Sequence, residues 1–159
     1  MAAAQCFDGA FLDALVARAR INPRLRQHHS LHASPDEPAQ RLFNAIEPAS
    51  YVAAHRHAHP ARNETLLVLA GSLGVIFFDD AGTPAATHRL SAGGAGGFGM
   101  ELPAGPWHSV VALTAGTVIF EVKAGPYQPL DPRDVAPWAP APGSPQAAAW
   151  VARMHSLFT

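Results

Sequence analysis

The sequence predicts an all-β domain, a sandwich or jelly roll with a helix at either end, and three observations carry that reading. From about Leu42 the apolar residues recur with a period of two in eight short runs. Turn residues part these runs, among them Asp79-Asp80-Ala81-Gly82 and Ala115-Gly116. Two histidine-bearing blocks about thirty residues apart, His55, His57, His59 and Glu64, then Gly97, Pro103, Gly105 and His108, read as two halves of one metal site.

Each element has a local reason. Asp8 supplies an N-cap for a helix in which Phe11, Leu12, Leu15, Val16 and Ala19 form one apolar stripe, ended by Asn22-Pro23. Strands are expected over 41–47, 51–57, 65–70, 73–78, 85–90, 98–102, 107–113 and 117–123. Seven prolines between Pro126 and Pro145 exclude regular structure, so that stretch is expected to run extended across the surface or to stay mobile. Ser144-Pro145 then has the form of an N-cap and first-turn proline for a terminal helix carrying Trp150, Met154, Leu157 and Phe158. The expected organisation is 1–40 as N-terminal helix and flanking segment, 41–125 as the β-barrel, and 126–159 as a proline-rich wrap plus helix, all one structural unit.

At 159 residues the chain fits a single core and buries about two-thirds of its unfolded surface without a disulfide. A net charge of −1 leaves no basic excess for nucleic acid. Cys6 is the only cysteine, which fits a cytoplasmic protein, and Met1 to Arg20 lacks a basic n-region and places Asp8 and Asp13 where a signal peptide needs an apolar stretch. No apolar run approaches the roughly 20 residues that span a bilayer. Gly94, Gly96 and Gly99 satisfy G-x-G-x-x-G, but Met100-Glu101-Leu102-Pro103 follows as strand and turn where a dinucleotide site needs a helix, so Ser91 to Gly99 is read as a loop. A Ser-His-Asp hydrolase is disfavoured because no G-x-S-x-G occurs, and Ser109 is read as an ordinary strand residue.

Neutral imidazoles with one carboxylate suit divalent Fe, Mn, Ni, Co or Zn, and three or four protein ligands leave positions open. Side chains alternate along a strand, so His55, His57 and His59 are expected on one side, any two neighbours able to share an ion. His108 returns a further imidazole beside the rigid turn Pro103-Ala104-Gly105-Pro106. His28, His29, His32, His88 and His155 lack such support and default to surface or hydrogen-bonded positions.

Here a resemblance can be named. His57-Ala58-His59, Glu64 and Gly71 resemble the first cupin motif, and Gly97 with Pro103-x-Gly105-x-x-His108 resembles the second. The wider text is similar to the WbuC-like cupin-fold metalloproteins over Gln40 to Pro48, His55-Arg56-His57, Phe77-Phe78-Asp79-Asp80, Glu101 to His108, Phe120-Glu121-Val122-Lys123, Gly125-Pro126-Tyr127 and Ala136 to Pro140, within residues 8–141. The resemblance implies a double-stranded β-helix, the cupin jelly roll, with a divalent metal inside the barrel. It also implies a bacterial family often linked to O-antigen and surface-polysaccharide loci.

The pattern is broken in places. The glycine expected six residues before the first histidine falls on Tyr51 or Ala49, and Ala112 stands where an asparagine often ends the second motif. Spacing to Glu64 favours His57 with His59, while the text from Glu47-Pro48 favours His55 with His57. His57 is a ligand in either register, and His55 is taken as its partner because a loop before Glu64 absorbs an insertion more easily than a paired strand. The expected metal set is thus His55, His57, Glu64 and His108, holding one divalent ion.

Two function classes follow. The first is a metal-dependent enzyme, an isomerase, epimerase or dioxygenase on a small sugar-like molecule, with Glu101, Glu121, Lys123 and Tyr127 as candidates for proton transfer or substrate orientation. Glu121 and Lys123 are placed on an outward strand face in preference to the pocket. The second is a metal-dependent module that binds or senses such a ligand. The expected partner is a small carbohydrate-like molecule, with no nucleic acid or membrane, and a homodimer is compatible.

Overall fold

The computed structural model describes residues 4–94 and 96–159. Residues 1–3, which open the stretch read for a leader, and Ala95 of the glycine-rich stretch lie outside the described residues. Helix α1 spans Gly9–Ile21, and Asp8 caps it by accepting from the Phe11 amide at 2.9 Å. Eight strands follow: β1 Arg26–Ser30, β2 Ala39–Ile46, β3 Glu64–Ala70, β4 Ser72–Phe78, β5 Pro84–Ser91, β6 Gly99–Leu102, β7 Trp107–Ala112 and β8 Thr117–Ala124. Helix α2 spans Pro145–Ser156. Every pairing is antiparallel, in a five-stranded sheet ordered β1-β2-β8-β3-β6 and a three-stranded sheet ordered β5-β4-β7.

Two expectations need correction. No strand forms over 51–57; that segment carries only isolated bridges, His55 to His108 and to Val135. A strand forms instead at Arg26–Ser30, where Arg-Gln-His-His-Ser has no apolar alternation to announce it. Its order comes from the ladder with β2, Arg26 opposite Ile46 and Ser30 opposite Leu42. Tertiary pairing overrides propensity here.

The two sheets close over Ile46, Leu66, Val68, Leu73, Val75, Leu90, Leu102, Ala112 and Ile119, which fill one end of the barrel with tightly packed apolar side chains. Along β8, Val118 and Phe120 face α1 while Ile119, Glu121 and Lys123 face inward, as period two requires. Phe7, Phe11, Phe43 and Phe120 pack ring against ring between α1 and the outer side of the large sheet, Phe11 and Phe43 edge to face and the other pairs tilted. Helix α2 covers the outer side of the small sheet, burying Val151 and Met154 against Ile76, Phe78, Trp107 and Val111. Gly74 makes room there, because a Cβ would meet the Phe158 ring at 2.5 Å. Gly71, at φ +72, turns β3 into β4 against Thr117, where a Cβ would collide with Thr117 Oγ1.

The proline-rich stretch is not free. Residues Pro132–Asp134 form a 3-10 turn, and the Ala136 amide donates to the Ala54 carbonyl at 3.0 Å. Tyr51 Oη donates to the Pro140 carbonyl at 2.8 Å. Among the described residues the Ser144 side chain makes no capping hydrogen bond, so Pro145 and packing carry the start of α2.

Candidate metal centre

The end of the barrel away from its apolar filling is open, and four side chains meet there. One ligand-capable atom from each of His55, His57, Glu64 and His108 lies within 4.8 Å of all the others. His108 comes from β7 and Glu64 from the first position of β3. Irregular backbone supplies His55 and His57, held by the reciprocal amide bonds between His55 and His108. The turn into β7 carries Gly105 at φ +104, a conformation open to glycine at little cost.

The imidazoles are aimed. His55 Nδ1 donates to the Ala53 carbonyl at 2.9 Å and His108 Nδ1 to the Pro106 carbonyl at 3.1 Å, each two residues back. This leaves both Nε2 lone pairs facing the cluster. His57 Nε2 lies 3.0 Å from Glu64 Oε2, and His108 Nε2 lies 3.8 Å from the same oxygen. Burial lowers the His55 imidazole to about 3, with the charges of His108 and His57 acting the same way. His108 is likewise lowered by burial. Burial alone would raise the Glu64 carboxyl, but the hydrogen bond from His57 and the charges of Lys123, His57 and His108 hold it below the ordinary carboxylate range. Two neutral imidazoles and an ionised carboxylate are the protonation states a divalent cation requires. His108 Nε2 is buried with no hydrogen-bond partner among the described residues. A buried lone pair left unmatched in such a donor set fits a metal better than any group of the protein.

His59 departs from the expected face. The chain turns at His59-Pro60, with the Arg62 amide bonded to the His57 carbonyl at 3.0 Å, so strand alternation does not extend to it. Its ring Nδ1 lies 2.9 Å from Asp134 Oδ1, and Asp134 Oδ2 accepts from the amides of Ala58 and His59 at 3.0 and 2.8 Å. Arg56 Nε adds a bond to Asp134 Oδ1 at 3.1 Å. Asp134, only 1% exposed, thus pins the loop that carries His57, and no local pattern signals this because the residue lies in the proline-rich wrap.

Of the proposed proton carriers, Glu101 stands on the outer face of β6, accepting from Thr65 Oγ1, because its neighbour Leu102 takes the inward position. Glu121 and Lys123 point inward, correcting the outward placement, since Phe120 and Val118 occupy the face under α1. Asn44 Nδ2 donates to Glu121 Oε1 at 3.0 Å. Burial, then the charge of Glu64, pushes the Glu121 carboxyl up to about 7. Lys123 Nζ lies 3.4 Å from Glu64 Oε1. Tyr127, 59% exposed, stands at the mouth. Arg26, His28 and Asn44 also line the cavity, and sequence reasoning missed them. Cross-strand pairing of His28 with Asn44 would have revealed two of the three.

The inner chamber holds about 200 Å³, with Leu66, Leu102, Val110 and Ile119 among its lining residues, and an outer one of about 670 Å³ shares Arg26, His28, His55, Glu121 and Lys123 with it. Among the described residues, no helix is long and apolar enough to cross a membrane.

Solved structures share this architecture. KdgF from Halomonas sp. superposes with a TM-score of 0.51 at 18% identity, covering 68% of this chain and 84% of that one. TT1209 from Thermus thermophilus gives 0.51 at 22% identity, covering 72% and 93%. A variant of Bacillus subtilis oxalate decarboxylase OxdC gives 0.51 at 18% identity, covering 70% of this chain and 28% of that one. At such identities the likeness establishes the fold, the cupin jelly roll. No curated protein matches in sequence. The model of the family described as a domain of unknown function, DUF6016, matches residues 7–90, more than half of the chain and the part that carries His55, His57 and Glu64, and the chain belongs to that family.

Proposed function

We propose that this chain is a divalent-metal cupin enzyme that moves a proton on a small sugar-derived molecule, as an isomerase or epimerase does. The observation that carries the reading is the unmatched Nε2 of His108 among the donors of His55, His57 and Glu64. When bound, the ion would supply Lewis acidity toward a carbonyl or hydroxyl oxygen. Glu121 is the proton carrier: it faces the same chamber, and burial raises its carboxyl to about 7, where one group can both give and accept a proton at neutral pH. Asn44 orients that carboxyl, and Lys123 holds Glu64 in place through its second oxygen. Similarity to the WbuC-like proteins over the quoted blocks supports a substrate from surface-polysaccharide metabolism.

A non-catalytic reading, a module that only holds such a ligand, draws on the pairing of Glu121 with Asn44 and of Lys123 with Glu64, which suits a fixed wall. The separating experiment is a panel of sugars, sugar phosphates and nucleotide sugars, offered to protein loaded in turn with Fe, Mn, Co, Ni and Zn. Conversion that disappears on chelation and in Glu121→Gln supports the enzyme. Tight binding without conversion anywhere in the panel supports the module.

A further inference from the structure

Lys123 is the only lysine in the chain, and it stands inside the barrel. Arg26 joins it in the wall of both chambers, and Arg24 and Arg62 line the outer one. The carboxylates in these walls are Glu64, already engaged by His57 and Lys123, and Glu121, engaged by Asn44. A chain with a net charge of −1 therefore turns an excess of cationic side chains toward one cavity. The field registers on His28, whose imidazole is lowered to about 4 by burial and by the charges of Arg26, Arg24 and Lys123. Arg26 is fixed for the purpose: its Nη1 donates to the Tyr51 carbonyl at 2.7 Å and to Ser50 Oγ at 3.3 Å. That leaves the rest of the guanidinium fork for another acceptor.

Two acceptors, one in the wall of each chamber, lack partners among the described residues. Asn44 and Gln40, 5% and 4% exposed, turn inward from β2; Asn44 Nδ2 donates to Glu121, and Gln40 Nε2 gives both its hydrogens to the Pro35 and Glu37 carbonyls. Among the described residues, Asn44 Oδ1 and Gln40 Oε1 have no hydrogen-bond partner. Buried oxygens of this kind ask for donors, and on a small molecule those are hydroxyl groups.

We propose that the cavity selects a small polyhydroxylated oxyanion, its acid group seated on Arg26 and Lys123 and its hydroxyls donating to Asn44 Oδ1 and Gln40 Oε1. The proposal rests on the metal-cupin reading only in placing this ligand beside the cluster. Asn44 lines the inner chamber of about 200 Å³ and Gln40 the outer one of about 670 Å³, so the ligand spans the opening between them, where Arg26 and Lys123 line both. A carboxylate and a phosphate ester present the same chemistry to this pair of cations.

The test compares gluconate, sorbitol phosphate and neutral sorbitol, three ligands on one six-carbon frame, by calorimetry on metal-free and metal-loaded protein. Gluconate or sorbitol phosphate is expected to bind about tenfold or more tighter than sorbitol, with the stronger of the two identifying the acid. Raising the salt should weaken the oxyanions and leave sorbitol unchanged, which needs no variant and so does not depend on one folding. Arg26→Met and Lys123→Met should each remove most of the preference. Equal binding of gluconate, sorbitol phosphate and sorbitol, no binding of any by the loaded protein, or a preference that survives in both folded variants would overturn the proposal. Preference retained by metal-free protein that cannot be loaded would leave this proposal standing and sink the metal reading; loading without preference would do the reverse.

Discussion

His55 and His108 are joined through their main chains as well as through the site they share. The His55 amide donates to the His108 carbonyl at 2.9 Å and the His108 amide returns to His55 at 2.8 Å, with the rings 4.6 Å apart. Two blocks far apart in sequence are thereby set in register before any ion arrives, which is preorganisation of a metal site by backbone pairing. It follows that His55→Ala and His108→Ala should each lower metal affinity by about tenfold or more. His59→Ala should lower it much less, because that ring turns to Asp134. Metal titration of the three variants decides it, and a larger loss in His59→Ala than in His55→Ala would mean that the other register holds.

Asp134 organises this loop from the far side. Its carboxylate accepts from two amides, from Arg56 and from the His59 ring, so removing it strands several half-buried donors at once. Asp134→Ala should cost about 3 kcal/mol of stability in denaturant unfolding. It should also weaken metal binding, although Asp134 is not one of the four clustered side chains. A loss below about 1 kcal/mol would show that the loop holds itself.

Helix α2 is fastened by Met154, 1% exposed, and Val151. Met154→Ala should destabilise by about 2–4 kcal/mol, as a buried large-to-small change does. Deleting residues 144–159 should lower the melting temperature by many degrees and expose Ile76 and Phe78. Unchanged melting after that deletion would contradict the packing described.

Burial raises the Tyr51 hydroxyl to about 12, above the ordinary value of 10.0. A raised pKa favours the neutral form in the fold, so its stabilisation is full below pH 10 and is lost as pH climbs through about 12. Alkaline unfolding should therefore be blunted in Tyr51→Phe, which also forfeits the bond to Pro140 and so starts from a lower stability at pH 7. An alkaline limb identical in the two proteins would refute the assignment.

The parts that were legible in the sequence are those governed by local rules. Asp8 capping α1, the Asp79 to Gly82 turn and the period of two in β3 and β8 all depend on neighbours in the chain. Residues decided by partners distant in sequence were not legible. Arg26–Ser30 becomes a strand because β2 offers it an edge, and the 51–57 segment fails to become one because its bridges run to His108 and Val135 instead. The side of the sheet that Glu121 faces was fixed by which neighbour, Phe120, met α1. The two motif blocks name His57, Glu64 and His108, while spacing to Glu64 favours His59 and only the text upstream, from Glu47-Pro48, points to His55; the pinning of His59 by Asp134 crosses from the barrel to the proline-rich wrap, and no period encodes that contact.

Metal content bears most directly on the four-ligand site. Untagged protein, stripped by chelation and reloaded with Fe, Mn, Co, Ni or Zn, should hold one divalent ion per chain by elemental analysis, and folded His108→Ala should hold far less. Substoichiometric metal in the native protein after every loading, or full occupancy in the folded variant, would contradict it.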